Sequence, residues 1–246
     1  MKTPYGRFLL GSRSGVKELN KTGATPQDES VSQRRLSRAG ADTRDKTLNA
    51  AERLFADHGY DGTSLRDISE ASGLHITLTS YHFGTKERLF EEVIRRRAEE
   101  VVALRMAALE KIDPATLPAA QAVRRLIEGY SLPMIQARYE GSKQWQAHVR
   151  LMSQLISVQR WVPLIQKYYD ATGQAYLEKF RIALPNAENP ALLDAFSFMV
   201  ATMLYVCSYP DRFAKMKTKV LPKKQEIAAA VDHFVQFVHA GFMALR

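Results

Sequence analysis

Apolar residues recur at helical spacing along nearly the whole chain, and no stretch alternates as a strand would. Leu48, Ala51, Leu54 and Phe55 share one helix face, with Asp42 as the predicted N-cap, Asp45 three residues on, and Gly59 as the stop. Ser64-Leu65-Arg66-Asp67 is a capping pattern that opens a short second helix, predicted to bury Leu65, Ile68 and Ala71. Gly73 turns the chain into a third helix. Leu74, Thr79 and Phe83 are expected inside it, leaving His75, Ile76, Thr77, Ser80, Tyr81 and His82 on the outer face. A long helix then runs from Lys86 to about Ile112 on the stripe Phe90, Ile94, Ala98, Val101, Leu104 and Ala108, and Arg95-Arg96-Arg97 reads as a solvated face.

Beyond Pro114 the spacing predicts helices over 116–139 with a kink at Pro133, then 143–159, 163–184, 190–209 and 224–245, separated by Gly141-Ser142, Pro163, Pro185-Asn186, Pro210-Asp211 and Pro222. The fold class is therefore all-α. The helix at 190–209 is apolar nearly all round, and that at 224–245 repeats the pattern with Ile227, Val231, Phe234, Val235, Val238 and Phe242. One soluble chain buries only part of such surface, so the two helices predict a symmetric dimer with a four-helix interface. The uncharged stretch between Asp194 and Asp211 falls short of the roughly 20 residues that span a bilayer, so no membrane association is expected.

Charge changes the picture less than a formal net of +9 suggests. Residues 1–42 carry 8 basic and 4 acidic side chains, residues 43–111 carry 11 and 12, and residues 112–246 carry 16 and 10. The three-helix part is thus not net basic, and any attraction to nucleic acid must come from placed groups such as Arg44, Lys46, Arg66 and Lys86. Cys207 is the single cysteine, so no disulfide framework forms and a reducing compartment is expected. Phe8-Leu9-Leu10 is too short for a signal peptide, which adds to a cytoplasmic expectation. Residues 1–41 are polar, lack a sustained apolar period and read as a disordered basic extension. In it, Arg34-Arg35-Leu36-Ser37-Arg38 is either a solvated tail or an arm that tracks DNA.

The ordered series Leu54-Phe55-x-x-x-Gly59-Tyr60, Thr63-Ser64-Leu65-Arg66-Asp67-Ile68, Ala71-Ser72-Gly73-Leu74 and Tyr81-His82-Phe83-Gly84-Thr85-Lys86-Glu87-x-Leu89-Phe90 resembles the DNA-binding domain of the TetR family of bacterial transcriptional regulators. The resemblance implies an N-terminal helix-turn-helix domain at 42–90 and a helical ligand-binding and dimerisation domain at 91–246. It also implies a double-stranded DNA operator as partner, and a homodimer through 190–209 and 224–245 that sets two reading helices ~34–36 Å apart. His75, Ile76, Thr77 and Arg66 fall where the family reads bases. Tyr81, His82 and Lys86 fall where it holds the phosphate backbone, and Arg44 and Ser64 complete the expected contact set. Two residues depart from the family pattern: Thr79 stands at an aliphatic position and its hydroxyl needs a partner, which a back-bond within the helix would supply. Ser80 stands where an aromatic residue or Asn is usual and alters base preference. From the residues alone, Tyr81 can instead pack on the first helix, and His75 can simply cap the third.

Candidate ligand contacts are Tyr130, Trp145, His148, Met152, Tyr169, Tyr176, Phe180 and Met203, although aromatic and Met stripes at helical spacing are more often core than pocket. Arg150 aligns with Gln146, Ser153, Gln154 and Ser157 on a face read as solvent-exposed. The sequence has no phosphate loop, nucleophile elbow or metal-ligand cluster, so neither enzymatic activity nor a metal or cofactor is expected. Two functions stay open: a repressor released from its operator by a small, mainly apolar ligand, and a DNA-binding activator or helical interaction protein without an effector.

Overall fold

The computed structural model describes residues 27–156, 158–208 and 224–245, with side-chain surroundings over 40–156, 158–207 and 228–245. Ser157 and Ile227 fall outside these side-chain ranges. The chain divides into two compact units, residues 1–45 and 46–246. Helix α1 covers Gln27–His58. Asp42 is therefore inside a helix and does not cap one, and residues 27–41 are helical where a disordered extension was expected; residues 1–26 lie outside the described part. The reason is propensity: Gln, Glu, Arg, Leu and Ala dominate 27–41, and such residues sustain a helix without an amphipathic period.

In the second unit, the remainder of α1 is followed by α2 (Leu65–Ser72), α3 (Ile76–Phe83) and α4 (Lys86–Leu109). Next come α5 (Ala119–Tyr139, with Pro133 inside it), α6 (Lys143–Leu155), α7 (Val162–Ala183), α8 (Asn189–Ser208) and α9 (Lys224–Met243). No strand occurs among the described residues. A single apolar core runs from Leu48, Phe55, Ile68 and Phe83 through Phe90, Ile94 and Val101 to Leu126, Tyr176, Phe180 and Phe242. Phe55 and Phe90 meet edge to face at 4.9 Å, and Phe180 stacks on Phe242 at 4.4 Å.

Within the small helices the burial differs in detail from the sequence pattern. Ile68 is buried but Leu65 is half-buried and Ala71 exposed, and Ser69 takes the inward position. Ser69 is there because Thr79 is fully buried opposite it: their hydroxyls are hydrogen-bonded at 3.0 Å, and Ser69 Oγ also donates to the Leu65 carbonyl at 2.8 Å. The partner of the Thr79 hydroxyl is thus a side chain across the turn, and the expected back-bond is unnecessary.

The buried positions of α4 are Leu89, Phe90, Val93, Ile94, Ala98, Val101, Arg105 and Leu109, so toward its end the stripe passes through Arg105 and Leu109 where Leu104 and Ala108 were expected. Arg96 and Arg97 are also largely enclosed, which corrects the reading of 95–97 as a solvated face.

Helix α8 is long and apolar enough over Asn189–Cys207 to cross a membrane by length and composition. It instead packs in the bundle against α5, α6, α7 and α9, burying Leu192, Phe196, Met199, Met203, Leu204 and Cys207. Its opposite side carries Phe198, and α9 carries Phe237, both well exposed in the single chain.

Candidate functional site

The second unit opens with a helix-turn-helix head, residues 46–90, and its rigidity is local in origin. Ser64 Oγ accepts from the Asp67 amide at 3.1 Å while Asp67 accepts from the Ser64 amide at 2.8 Å, closing a capping box at the start of α2. The Ser64 hydroxyl, donating to the Asp67 carboxylate at 2.7 Å, and then the Ser64 amide hold that carboxyl below its ordinary pKa. Gly73 takes φ 69°, a left-handed geometry that favours glycine, and sends the Leu74 amide back to the Ser69 carbonyl at 3.0 Å. His75 caps α3: its Nδ1 accepts from the Thr77 amide at 3.4 Å and sits 2.8 Å from Thr77 Oγ1. With Nδ1 accepting, the ring proton is on Nε2.

With its inward side fixed by Thr79 and Phe83, α3 turns His75, Ile76, Thr77, Leu78, Ser80 and Tyr81 outward, all exposed, with His82 half-buried. Tyr81 is 83% exposed, so it does not pack on α1. Leu78 was not anticipated; it adds a second aliphatic side chain beside Ile76. Arg66 is exposed and pairs with Glu70 at 3.0 Å, a surface pair of small energetic weight. Ser64 is exposed but committed to its cap. Arg44 lies half-buried in the part of α1 that belongs to the first unit.

Lys86 has a structural task. Its ammonium donates to the Tyr60 carbonyl at 3.0 Å and the Thr63 carbonyl at 2.9 Å, and it lies 4.2 Å over the Tyr60 ring. It therefore clamps the α1–α2 loop onto the start of α4, with Tyr60 Oη donating to Glu87 at 2.6 Å.

Four sets of contacts hold this head on the rest of the second unit. Trp161 packs on Tyr60 and Phe90 at 4.8 and 4.5 Å, and Arg160 pairs with Asp61 at 2.8 Å. Arg150 pairs with Asp57 at 2.6 Å and Gln154 donates to the Ala56 carbonyl at 3.1 Å, so the polar side of α6 faces α1 and was misread as a solvent face. Lys167 and Tyr168 both reach Glu91 on α4, one residue past the head on the helix that continues it, at 2.6 and 2.9 Å.

The fourth set is buried. Glu52 of α1, fully enclosed, accepts from Arg96 at 2.9 Å and from Arg97 at 3.1 Å. Burial raises the Glu52 pKa, and Arg97 and Arg96 pull against that rise. His148 of α6 stands 3.6 Å from Glu52, too far for a hydrogen bond, and neither ring nitrogen has a partner. Burial and the two arginines depress its pKa to about 3. The unfolded chain therefore binds a proton below about pH 6.5 that the folded chain refuses until about 3. This contributes instability that grows as pH falls through that window, reaching about 2 kcal/mol at pH 5. His148→Leu is expected to remove that part of the acid sensitivity, read as a smaller stability difference between pH 7 and pH 5 in denaturant titrations. An unchanged pH dependence would contradict a neutral, buried imidazole.

Between α4, α5, α6, α7 and α8 lies a cavity of about 410 Å³. Four of the eight expected ligand residues line it: Tyr130, Met152, Tyr169 and Met203. Trp145, His148, Tyr176 and Phe180 do not. Trp145 lies under the Arg97 guanidinium at 4.9 Å, His148 belongs to the buried junction, Tyr176 donates to the Arg105 carbonyl at 2.8 Å, and Phe180 stacks on Phe242. Met134, Ile156, Ile165, Phe196 and Val200 add apolar wall. Arg105 also lines the cavity, and its place on the Ile94-Ala98-Val101 stripe was the sequence signal for it. Along 150–169, cavity-lining residues (Met152, Ile156, Ile165, Tyr169) are interleaved with those that hold the head (Arg150, Gln154, Arg160, Trp161, Lys167).

A helix-turn-helix head locked to an all-helical bundle with a ligand-sized cavity defines the class of protein. The chain belongs to the TetR family of bacterial transcriptional regulators: residues 48–93 match the family described as bacterial regulatory proteins, tetR family, and residues 128–241 match the tetracyclin repressor-like C-terminal domain. It is similar to the HTH-type transcriptional repressor AcnR of Corynebacterium efficiens, 41% identical over 56 residues, or 23% of this chain and 30% of that protein. Across the curated relatives of this kind the match spans about a third of their length. In fold it is similar to a TetR-like regulator from Rhodococcus sp. RHA1 (TM-score 0.54, 17% identity, covering 82% of this chain and 93% of that one). It is likewise similar to FadR of Bacillus subtilis, solved with stearoyl-CoA (TM-score 0.53, 13% identity, 80% and 97% covered).

Proposed function

We propose that the protein is a homodimeric, DNA-binding transcriptional repressor that a small, largely apolar molecule releases from its operator. The observation that carries this reading is the outward face of α3. Ile76, Thr77, Leu78, Ser80 and Tyr81 stand free on a short helix whose other side is locked, the arrangement a major groove accepts. In this reading residues 42–90 are the DNA-binding domain and residues 91–246 bind ligand and dimerise. Ile76 and Leu78 suit thymine methyl groups, Thr77, Ser80 and the His75 Nε2–H suit base edges, and Tyr81, His82, Arg44 and Arg66 suit the backbone. Lys86 acts mainly by fixing the loop before α2. The similarity to named repressors supports the sign of regulation, and the reducing, cytoplasmic setting of such regulators suits a chain with one buried cysteine.

The cavity supports the effector over an effector-free interaction protein, since a filled core would leave no such volume. Effector control has a short route. A molecule that spreads Met152, Ile156 and Tyr169 displaces a segment whose neighbouring residues grip the head. To turn a mostly bound population into a mostly released one, the effector must prefer the released form by about 10⁴.

Selection of bound duplexes from a random pool with purified protein tests the DNA reading. A two-fold symmetric consensus is expected. Thr77→Ala should relax preference at one base pair per half-site by about 1–3 kcal/mol, whereas Tyr81→Ala should weaken all duplexes alike. A protein that ignores duplex DNA at low salt is not such a regulator. Failure of every small molecule in a broad panel to dissociate the complex would remove the effector and leave the DNA reading standing.

A further inference from the structure

The cavity holds a feature that a purely apolar ligand leaves unexplained. Arg105 is 2% exposed, it carries a guanidinium cation, and no carboxylate among the described residues pairs with it. Its Nε–H donates to the Tyr130 carbonyl at 2.8 Å, the guanidinium lies 3.7 Å from the Tyr130 ring centroid, and a terminal nitrogen faces the weakly accepting Met203 sulfur at 3.9 Å. Tyr169 lines the same cavity, and its buried hydroxyl has no hydrogen-bond partner. The one carboxylate on the lining, Asp170, is exposed to solvent. A buried cation without a counter-charge is costly, and so is a buried hydroxyl without a partner. Both costs fall on the lining of a cavity that is mostly methionine, aliphatic and aromatic, with Asp170, Gln174 and Ser197 as its other polar side chains, and the Arg105 charge acts on the Tyr169 hydroxyl.

We infer that the effector is an amphipathic organic carboxylate. Its head accepts hydrogen bonds from the Arg105 guanidinium and the Tyr169 hydroxyl, and its apolar body lies against Met134, Met152, Phe196 and Val200. Arginine matches a carboxylate with two parallel donors, and the low-dielectric surroundings strengthen that pairing. The inference rests on the cavity being an effector site, and it adds the chemical class.

Calorimetric titration of the full chain with decanoate and with decanol separates the two ideas. Decanoate is expected to bind roughly tenfold or more tightly than decanol. Arg105→Met, close in volume and apolar, is expected to abolish that preference while keeping decanol binding, and Tyr169→Phe to reduce it. Retained decanol binding in Arg105→Met also shows that the variant is folded. If decanol binds as well as decanoate, or if the preference survives both substitutions, the carboxylate assignment is wrong and the effector site stands. If neither compound, nor any other apolar acid or alcohol of similar size, binds at all, both readings fall.

Discussion

A chain carrying Phe198→Glu and Phe237→Glu is expected to sediment as a monomer and to bind operator roughly a hundredfold or more weakly than the parent. Phe198 on α8 is 68% exposed and Phe237 on α9 is 72% exposed, on adjoining helices whose other sides are core. Burying one phenylalanine side chain is worth about 1.5–3 kcal/mol, and a two-fold contact buries each of these twice. A glutamate at each place removes that gain and sets like charges across the axis. Because neither ring supports the fold of its own chain, the variant should keep its helical circular dichroism and nearly its melting temperature, which separates loss of assembly from loss of folding. Loss of DNA binding follows from loss of pairing: two linked heads engage two half-sites at the effective concentration set by their tether, and one head alone lacks that advantage. A double variant that remains dimeric would place the interface elsewhere. A monomer with undiminished operator affinity would remove the two-head mechanism.

What the sequence disclosed and what it withheld divide along physical lines. The Ser64–Asp67 capping box, the turn at Gly73 and the outward face of α3 depend on residues a few positions apart, so they were legible. Helices α4 to α9 were also legible, because proline and glycine bound several of them. The polar partnerships were not. Arg96 and Arg97 look like a solvated charge run until Glu52, more than forty residues earlier, is brought against them, and the polar side of α6 looks like a water face until α1 lies on it. Polarity in a helical pattern marks a position as needing partners, and only the tertiary packing says whether those partners are water. The ligand residues divided for a related reason. Tyr169 and Tyr176 lie seven residues apart on one side of α7, yet one faces a cavity and the other fills the core against Arg105 and Tyr130. Spacing alone does not separate a filled interior from an empty one.

The largest stability effect is expected at Glu52. Glu52→Ala should lower the stability of the second unit by about 3–5 kcal/mol, because it leaves Arg96 and Arg97 enclosed without their counter-charge. For a unit of this size that corresponds to a fall in melting temperature on the order of 10 °C. Glu52→Gln keeps the volume and one acceptor oxygen, and should lose less. Arg95→Ala is the control: its partners Glu92 and Glu99 lie on the same helix near the surface, and its removal should cost no more than about 1 kcal/mol. Added salt should weaken the Arg95 pairs and leave the Glu52 contribution nearly intact, since screening acts far less on enclosed charges. If an effector releases the protein from DNA as proposed, the position also matters for control of the head. Glu52 is on α1, its arginines on α4, and His148 beside it on α6, one turn from the cavity residue Met152. A variant that loosens this junction while the effector cavity stays intact should therefore still bind ligand yet transmit less of that binding to DNA, visible as a smaller ratio of operator affinities with and without effector. If Glu52→Ala melts within a degree or two of the parent, the enclosed pair is not holding α1, α4 and α6 together, and the route from cavity to head must run through Trp161 and the α7 contacts instead.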